Sequence, residues 1–240
     1  MSCILNIETS TSVCSVALSM DAEVLFEKTS FDGPSHAALL GVFVEEALSV
    51  LKEKGRKAPD AVAVSSGPGS YTGLRIGVSV AKGLCFGFGI PLISIPTLDI
   101  MAATAYSKGD SRIVPAGGGC LYCAMLDARR MEVYAAIYDS SLVPVRLAAA
   151  DIVDAGTYAS YLEKGKVCFF GNGASKCKPV ITSPNAIFIE DIHPLAVNMI
   201  PLSEQAFAAG KFEDSAYFEP FYLKEFQATV AKNKVLGGRN

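Results

Sequence analysis

Twice along the chain a short apolar run stops on an acid, turns tightly through small or polar residues, and resumes as an alternating run. The first copy is Cys3-Ile4-Leu5-Asn6-Ile7-Glu8, then Thr9-Ser10-Thr11-Ser12, then an alternation over residues 13–19 and a further strand over 22–29. The second is a strand over 120–126 closed by Asp127, the turn Ala128-Arg129-Arg130, an antiparallel partner over 131–138, and a third strand over 142–147. Alternation with period two marks strands, and two identical openings demand two sheets of one build.

Between these openings the periods change. Residues 36–54 read as a helix with Ser35 as its cap, apolar all round from Ala37 to Val44 and amphipathic beyond. A buried strand over 60–65 enters Gly67-Pro68-Gly69-Ser70, a second helix runs over 72–88, and a strand over 91–95 precedes a third helix over 98–105 capped by Thr97. In the second half a helix over 154–163, a strand over 167–170 and helical segments after Pro194 follow the three strands. The expectation is a duplicated βββαβα α/β protein with mixed sheets. Its lobes are expected at residues 1–105 and 106–240, with a junction near 106–118 and a basic, frayed tail from about 228.

Composition narrows the function. The 240 residues are half hydrophobic and carry a net charge of −3, which excludes a disordered chain and argues against an autonomous nucleic-acid binder. The longest uncharged run, residues 83–98, is broken by Pro91 and Pro96 and is shorter than the ~18 residues of a membrane span. The first basic residue is Lys28, and Glu8 falls where a signal peptide is apolar, so a cytoplasmic location is expected. Seven cysteines at irregular spacing among apolar neighbours then read as buried free thiols.

Three segments are candidates for chemistry. Glu8-Thr9-Ser10 joins a strand-end carboxylate to hydroxyls and a tight backbone turn, a group suited to hydrated magnesium and phosphate; a plain solvated turn is the alternative. Gly67-x-Gly69 leads a strand into a helix N-terminus, the geometry that presents N–H groups to an anion, although neither a Walker A loop nor a dinucleotide fingerprint is present. Asp127 beside Arg129 and Arg130 is an anion site or a solvated hairpin tip. The helix over 72–88 carries Gly73, Gly77 and Ala81 every four residues, a small-residue stripe that admits close approach of another helix. With only His36 and His193, no metal site is expected, and Cys120-x-x-Cys123 in a strand points its thiols to opposite faces.

Taken together, Ile4-Leu5-Asn6-Ile7-Glu8-Thr9-Ser10, Gly67-Pro68-Gly69-Ser70-Tyr71-Thr72-Gly73-Leu74-Arg75-Ile76-Gly77, Asp127-Ala128-Arg129-Arg130 with Val133-Tyr134, Gly171-Asn172-Gly173-Ala174 and Pro220-x-Tyr222-Leu223-Lys224 resemble the TsaB (YeaZ) family. These are small members of the actin/sugar-kinase/Hsp70-like (ASKHA) superfamily, and the resemblance spans nearly the whole chain. Family members usually carry Asp at Glu8 and Arg at Lys224. The resemblance implies a two-lobed ASKHA fold and a non-catalytic subunit in threonylcarbamoyl-adenosine (t6A) modification of the adenosine beside the anticodon of tRNA.

The implied partners are the paralogue TsaD, the ATPase TsaE and a second copy of the chain, with tRNA reached only through the complex. In TsaD the strand after the second helix leads into a His-x-x-x-His metal motif, and that register puts Thr97 and Met101 at the two ligands, so no metal and no catalysis are expected here. The partner interface is expected at Leu39, Leu40, Phe43, Gly73, Ile76, Gly77, Val80 and Leu84. Residual ATP or ADP contact is left to Glu8, Thr9, Ser10, Gly67, Gly69 and Asp127, with no cofactor required. Superfamily phosphate turns favour Gly after the acid, so Ala128-Arg129-Arg130 implies a narrowed pocket. The competing expectation is an autonomous ATPase or phosphotransferase with Glu8 for magnesium, the Gly67–Gly69 loop for phosphate and Asp127 as base. A peptidase lacks both metal ligands and a nucleophile–base pair.

Overall fold

In a computed structural model that describes residues 2–33, 35–108 and 120–223, both halves of the chain build the same five-stranded sheet. Strands β1 (Cys3–Glu8), β2 (Cys14–Met20), β3 (Glu23–Ser30), β4 (Ala61–Gly67) and β5 (Leu92–Pro96) lie in the order β3-β2-β1-β4-β5. Strands β6 (Cys120–Asp127), β7 (Glu132–Tyr138), β8 (Pro144–Ile152), β9 (Lys166–Phe170) and β10 (Ala186–Ile189) lie in the order β10-β9-β6-β7-β8. In each sheet the first three strands are antiparallel and the last two join in parallel. This is the duplicated mixed-sheet plan that the repeated strand–acid–turn openings imply.

The helices α1 (His36–Glu53) and α2 (Tyr71–Phe88) cover one face of the first sheet. Leu40, Phe43, Val44 and Leu51 of α1 and Val78, Ala81 and Cys85 of α2 meet Leu5, Ile7, Val16, Val62 and Val64 there. The other face receives α5 (Ala196–Ala208), which arrives from the far end of the chain: Met199 packs on Ile4, Ala63 and Ile93. Reciprocally, α3 (Thr97–Ser107) lays Leu98, Met101, Ala102 and Ala105 against Tyr122, Ala124 and Phe170 of the second sheet. Each half of the chain thus lends a helix to the other half's sheet. Among the described residues, the outer face of the second sheet is covered by the one-turn helix α4 (Ala159–Leu162), the single turn Ser175–Cys177 and their flanks.

Local expectations differ from the structure at four points. Ser35 precedes α1, but its hydroxyl donates to Gly33 O and makes no cap bond. Thr97 is the first residue of α3 rather than its cap; Pro96 holds the cap position with extended backbone. The helix expected over 154–163 shrinks to α4, because Asp154 folds back to accept from the Gly156 amide and the Thr157 hydroxyl, an Asx turn that competes with helix. Strand β10 is not among the expected elements; its four residues, three half-buried and Ile189 buried, carry too little pattern. The junction residues 109–119, Lys224 and the tail from 228 lie outside the described residues. Among the described residues no helix is long and apolar enough to cross a membrane.

Candidate functional site

The two strand–acid–turn openings end side by side in topology but not in chemistry. Glu8 closes β1 with no solvent exposure. Its Oε1 accepts from the Ser10 amide at 2.5 Å, while Oε2 has no hydrogen-bond partner. Burial pushes its carboxyl up to about 7; Ser10 and the nearby Ser65 hydroxyl pull the other way without cancelling it. Thr9 and Ser10 are buried as well. Thr9 donates its hydroxyl to Gly73 O at 2.8 Å, and Ser10 O accepts from the Ser70 amide at 2.6 Å. Ser70 in turn caps α2, its side chain accepting from the Gly73 amide.

The glycines explain this closeness. A Cβ at Gly69 would stand 2.4 Å from Ser10 O, at Gly73 2.2 Å from Thr9 O, and at Gly77 2.2 Å from Thr9 Oγ1. The four-residue spacing of these glycines therefore carves a seat for the chain's own β1–β2 turn, not for a partner helix. Gly67 adopts φ +105°, and the Phe221 carbonyl would stand 2.5 Å from its Cβ, while the Phe221 amide donates to Ser66 O. The structure thus brings Glu8, Thr9, Ser10, Gly67 and Gly69 together as a closed seat, in which Thr9 and the Ser10 backbone bond to the protein while Glu8 Oε2 and Ser10 Oγ are buried without a partner.

Asp127 belongs to the equivalent turn of the second sheet and is half exposed. Its carboxylate pairs with Lys176 and accepts from the Arg129 amide, and its own amide donates to Asn172 Oδ1. Arg129 and Arg130 hold φ +70° and +49°, the left-handed region that favours glycine. Behind this turn Gly171 and Gly173 stand against Met125 and Leu126, Gly173 in the way that Gly69 stands against Ser10 in the first half.

On α3, Thr97 and Met101 stand one turn apart and both are fully buried. Thr97 Oγ1 has no partner, and the methyl group of Met101 lies against Gly171. Among the described residues no three His, Cys, Asp or Glu side chains converge on a point that would hold a metal.

The expected interface residues divide into two sets. Leu40 (1% exposed), Phe43 (5%), Gly73 and Gly77 face the interior and are corrected to core positions, because α1 and α2 turn these residues onto their own sheet or onto Thr9. Leu39, Ile76, Val80 and Leu84 are half-buried at the rim of that core. Beyond them the outer surface carries Val42 (47% exposed) and Phe86 (90%), which the sequence reading left out. Gly41, Gly83 and Gly87 face open space with nothing within 4 Å of an added Cβ. The outward small-residue face of α2 is therefore Ser79, Gly83 and Gly87, on the opposite side of the helix from the stripe expected. One flank of α2 is covered by the segment after α5: Lys82 donates to Ala216 O and Phe218 O, and Tyr222 packs its ring on Tyr71. A surface groove of about 490 Å³ runs along α1, with Val44 and Leu48 in its lining and Lys52, Arg56 and Lys57 at one end.

Comparison with known proteins gives a consistent picture. Residues 33–232 match the family described as TsaD, tRNA N6-adenosine threonylcarbamoyltransferase. The tRNA threonylcarbamoyladenosine biosynthesis protein TsaB of Escherichia coli (strain K12) is 31% identical over 246 residues, covering 98% of both chains. The protein of the same description from Haemophilus influenzae is 35% identical over 134 residues, 55% of this chain and 51% of that one. Among solved structures, YeaZ from Pseudomonas aeruginosa superposes with a TM-score of 0.76 at 28% identity, over 93% of this chain and all of the other.

Proposed function

The chain belongs to the TsaB/YeaZ family, and from that premise we propose that it is a non-catalytic subunit in t6A modification of tRNA. In this reading it works as the dimerisation partner and activator of TsaD, with TsaE joining the assembly. The transfer itself, of a threonylcarbamoyl group from its adenylate to the adenosine beside the anticodon, belongs to the paralogue. The observation that carries this reading is the pair Thr97 and Met101. A hydroxyl and a thioether, both buried in packed protein, stand where the paralogue's motif supplies two imidazoles. Neither replaces a neutral imidazole on a catalytic metal. The closed seat around Glu8–Ser10 adds to it, since the Ser10 amide is already spent on Glu8 and the Ser70 amide on Ser10 O.

The docking surface in this reading is the outward face of α1 and α2: Leu39 and Val42 with Ile76, Val80, Leu84 and Phe86. Small residues at 41, 79, 83 and 87 let a partner helix approach between these apolar side chains. The decisive experiment is reconstitution: TsaD and TsaE with tRNA, threonylcarbamoyl-adenylate and ATP, with and without this chain. Modified adenosine is expected only when the chain is present, and the chain alone is expected to leave ATP intact. Turnover by the chain alone, abolished in Glu8→Ala, would instead support the autonomous ATPase.

A further inference from the structure

Seven cysteines are buried as thiols, outside any disulfide, and two of them touch: Cys120 Sγ and Cys168 Sγ lie 2.8 Å apart. They sit on neighbouring parallel strands, β6 and β9, where Cys120 stands opposite Lys166 and Cys168 opposite Tyr122. The two thiols are thus diagonal neighbours on the side of the sheet that packs against α3, in one cluster with Leu98, Met101, Ala102 and Ala105. A disulfide needs the sulfurs to close by about a further 0.8 Å, a movement of side chains rather than of strands.

Cys120 also differs in electrostatics from five of the other cysteines. Burial pushes the thiols of Cys3, Cys14 and Cys85 up to about 11 and raises those of Cys123 and Cys177 too. Cys120, by contrast, is held below the ordinary thiol range, by the hydrogen bond with Cys168 and by the nearby Lys166 ammonium. It also keeps 3% of its surface exposed, while Cys168 has none. One sulfur is thus poised to attack and the other to resolve.

We propose that Cys120 and Cys168 are a redox pair that closes to a reversible disulfide when a hydroperoxide reaches Cys120, stapling β6 to β9. The Cys120 thiolate attacks the O–O bond and takes one oxygen as a sulfenic acid; the departing hydroxide collects the proton that Cys120 released. Cys168 sulfur then attacks Cys120 sulfur, the S–O bond breaks, and water leaves with the Cys168 proton. Two thiols and one hydrogen peroxide become one disulfide and two waters, the thiols losing two electrons and the peroxide gaining them. Intracellular disulfides of this kind are transient and regulatory rather than structural. Closure would tie together the two inner strands on whose face α3 rests, and so couple oxidant to the packing between the two sheets.

The test uses the full chain treated with equimolar hydrogen peroxide, then denatured, alkylated and mapped as peptides. Free thiols are expected to fall from seven to five, with a single cross-linked peptide pair containing Cys120 and Cys168 that dithiothreitol opens. In Cys168→Ser the resolving step is lost, and dimedone is expected to trap the sulfenic acid on Cys120. A cross-link between other cysteines, or seven alkylated thiols after oxidation, would overturn the proposal; the wild-type map decides this even if the variant fails to fold.

Discussion

The two halves share a strand order and differ in what they build around it. The first sheet buries its opening turn in a glycine seat and carries two 18-residue helices on its outer face. The second leaves its turn half exposed, holds it with an Asp127–Lys176 pair, and covers its outer face with one short helix and a single turn. A sheet of this size is evidently covered with little. What α1 and α2 add beyond cover is an outward surface of Val42, Phe86 and uncrowded glycines, a surface that lone burial does not require. The two halves keep one backbone plan, and in the proposed reading the first half is the one that offers a docking surface.

The sharpest way to break this contrast is to fill the seat. Gly73→Ala or Gly77→Ala puts a Cβ at 2.2 Å from Thr9 and is expected to cost about 3 kcal/mol or more, read from urea unfolding. An effect under about 1 kcal/mol would mean that the turn moves freely and the seat is not closed.

Next in size is Glu8. An acid raised in the folded state from 4.5 to about 7 contributes stability that is full below 4.5 and is lost as pH climbs through about 7. Wild type is therefore expected to lose on the order of 3 kcal/mol between pH 4.5 and 8 through this group. Glu8→Gln is expected to flatten that part of the profile and to be the more stable protein at pH 8. Parallel profiles for the two proteins would remove the buried carboxylate from the account. The exposed Asp127, run as Asp127→Asn, supplies the contrasting half.

Smaller effects sharpen the comparison. Arg130→Gly relieves a left-handed side chain in the open turn and is expected to gain about 0.5 kcal/mol, with Arg129→Gly similar. Gly83→Ala, on the outward face, is expected to gain about 0.5–1 kcal/mol for the isolated chain, as an exposed helical glycine should. A loss there would place Gly83 against something in the folded monomer.

Much of this was legible in sequence. The repeated openings announce two like sheets, and buried strands such as β1 and β4 declare themselves as continuous apolar runs ending on an acid or on glycine. Glycines every four residues likewise announce a close approach. They do not say of what: Gly73 and Gly77 meet Thr9, seventy residues or so back along the chain, and nothing local distinguishes that turn from a partner helix. Leu40 and Val42 are equally apolar and lie two positions apart, yet one is core and the other surface, because helix phase relative to a distant sheet decides it. Cys120 and Cys168 show the same limit; their spacing of 48 residues carries no pairing signal until β6 and β9 come together.

The central claim is that the outer α1–α2 face exists for a partner. Binding of TsaD to wild type and to the double variant Val42→Glu, Phe86→Glu, followed by calorimetry, tests it most directly. Both positions are exposed, so the fold is expected to survive, seen as an unchanged melting temperature and circular dichroism spectrum. The account predicts a TsaD complex with wild type and a loss of at least about tenfold in affinity for the variant. Equal affinities with the fold intact would contradict it.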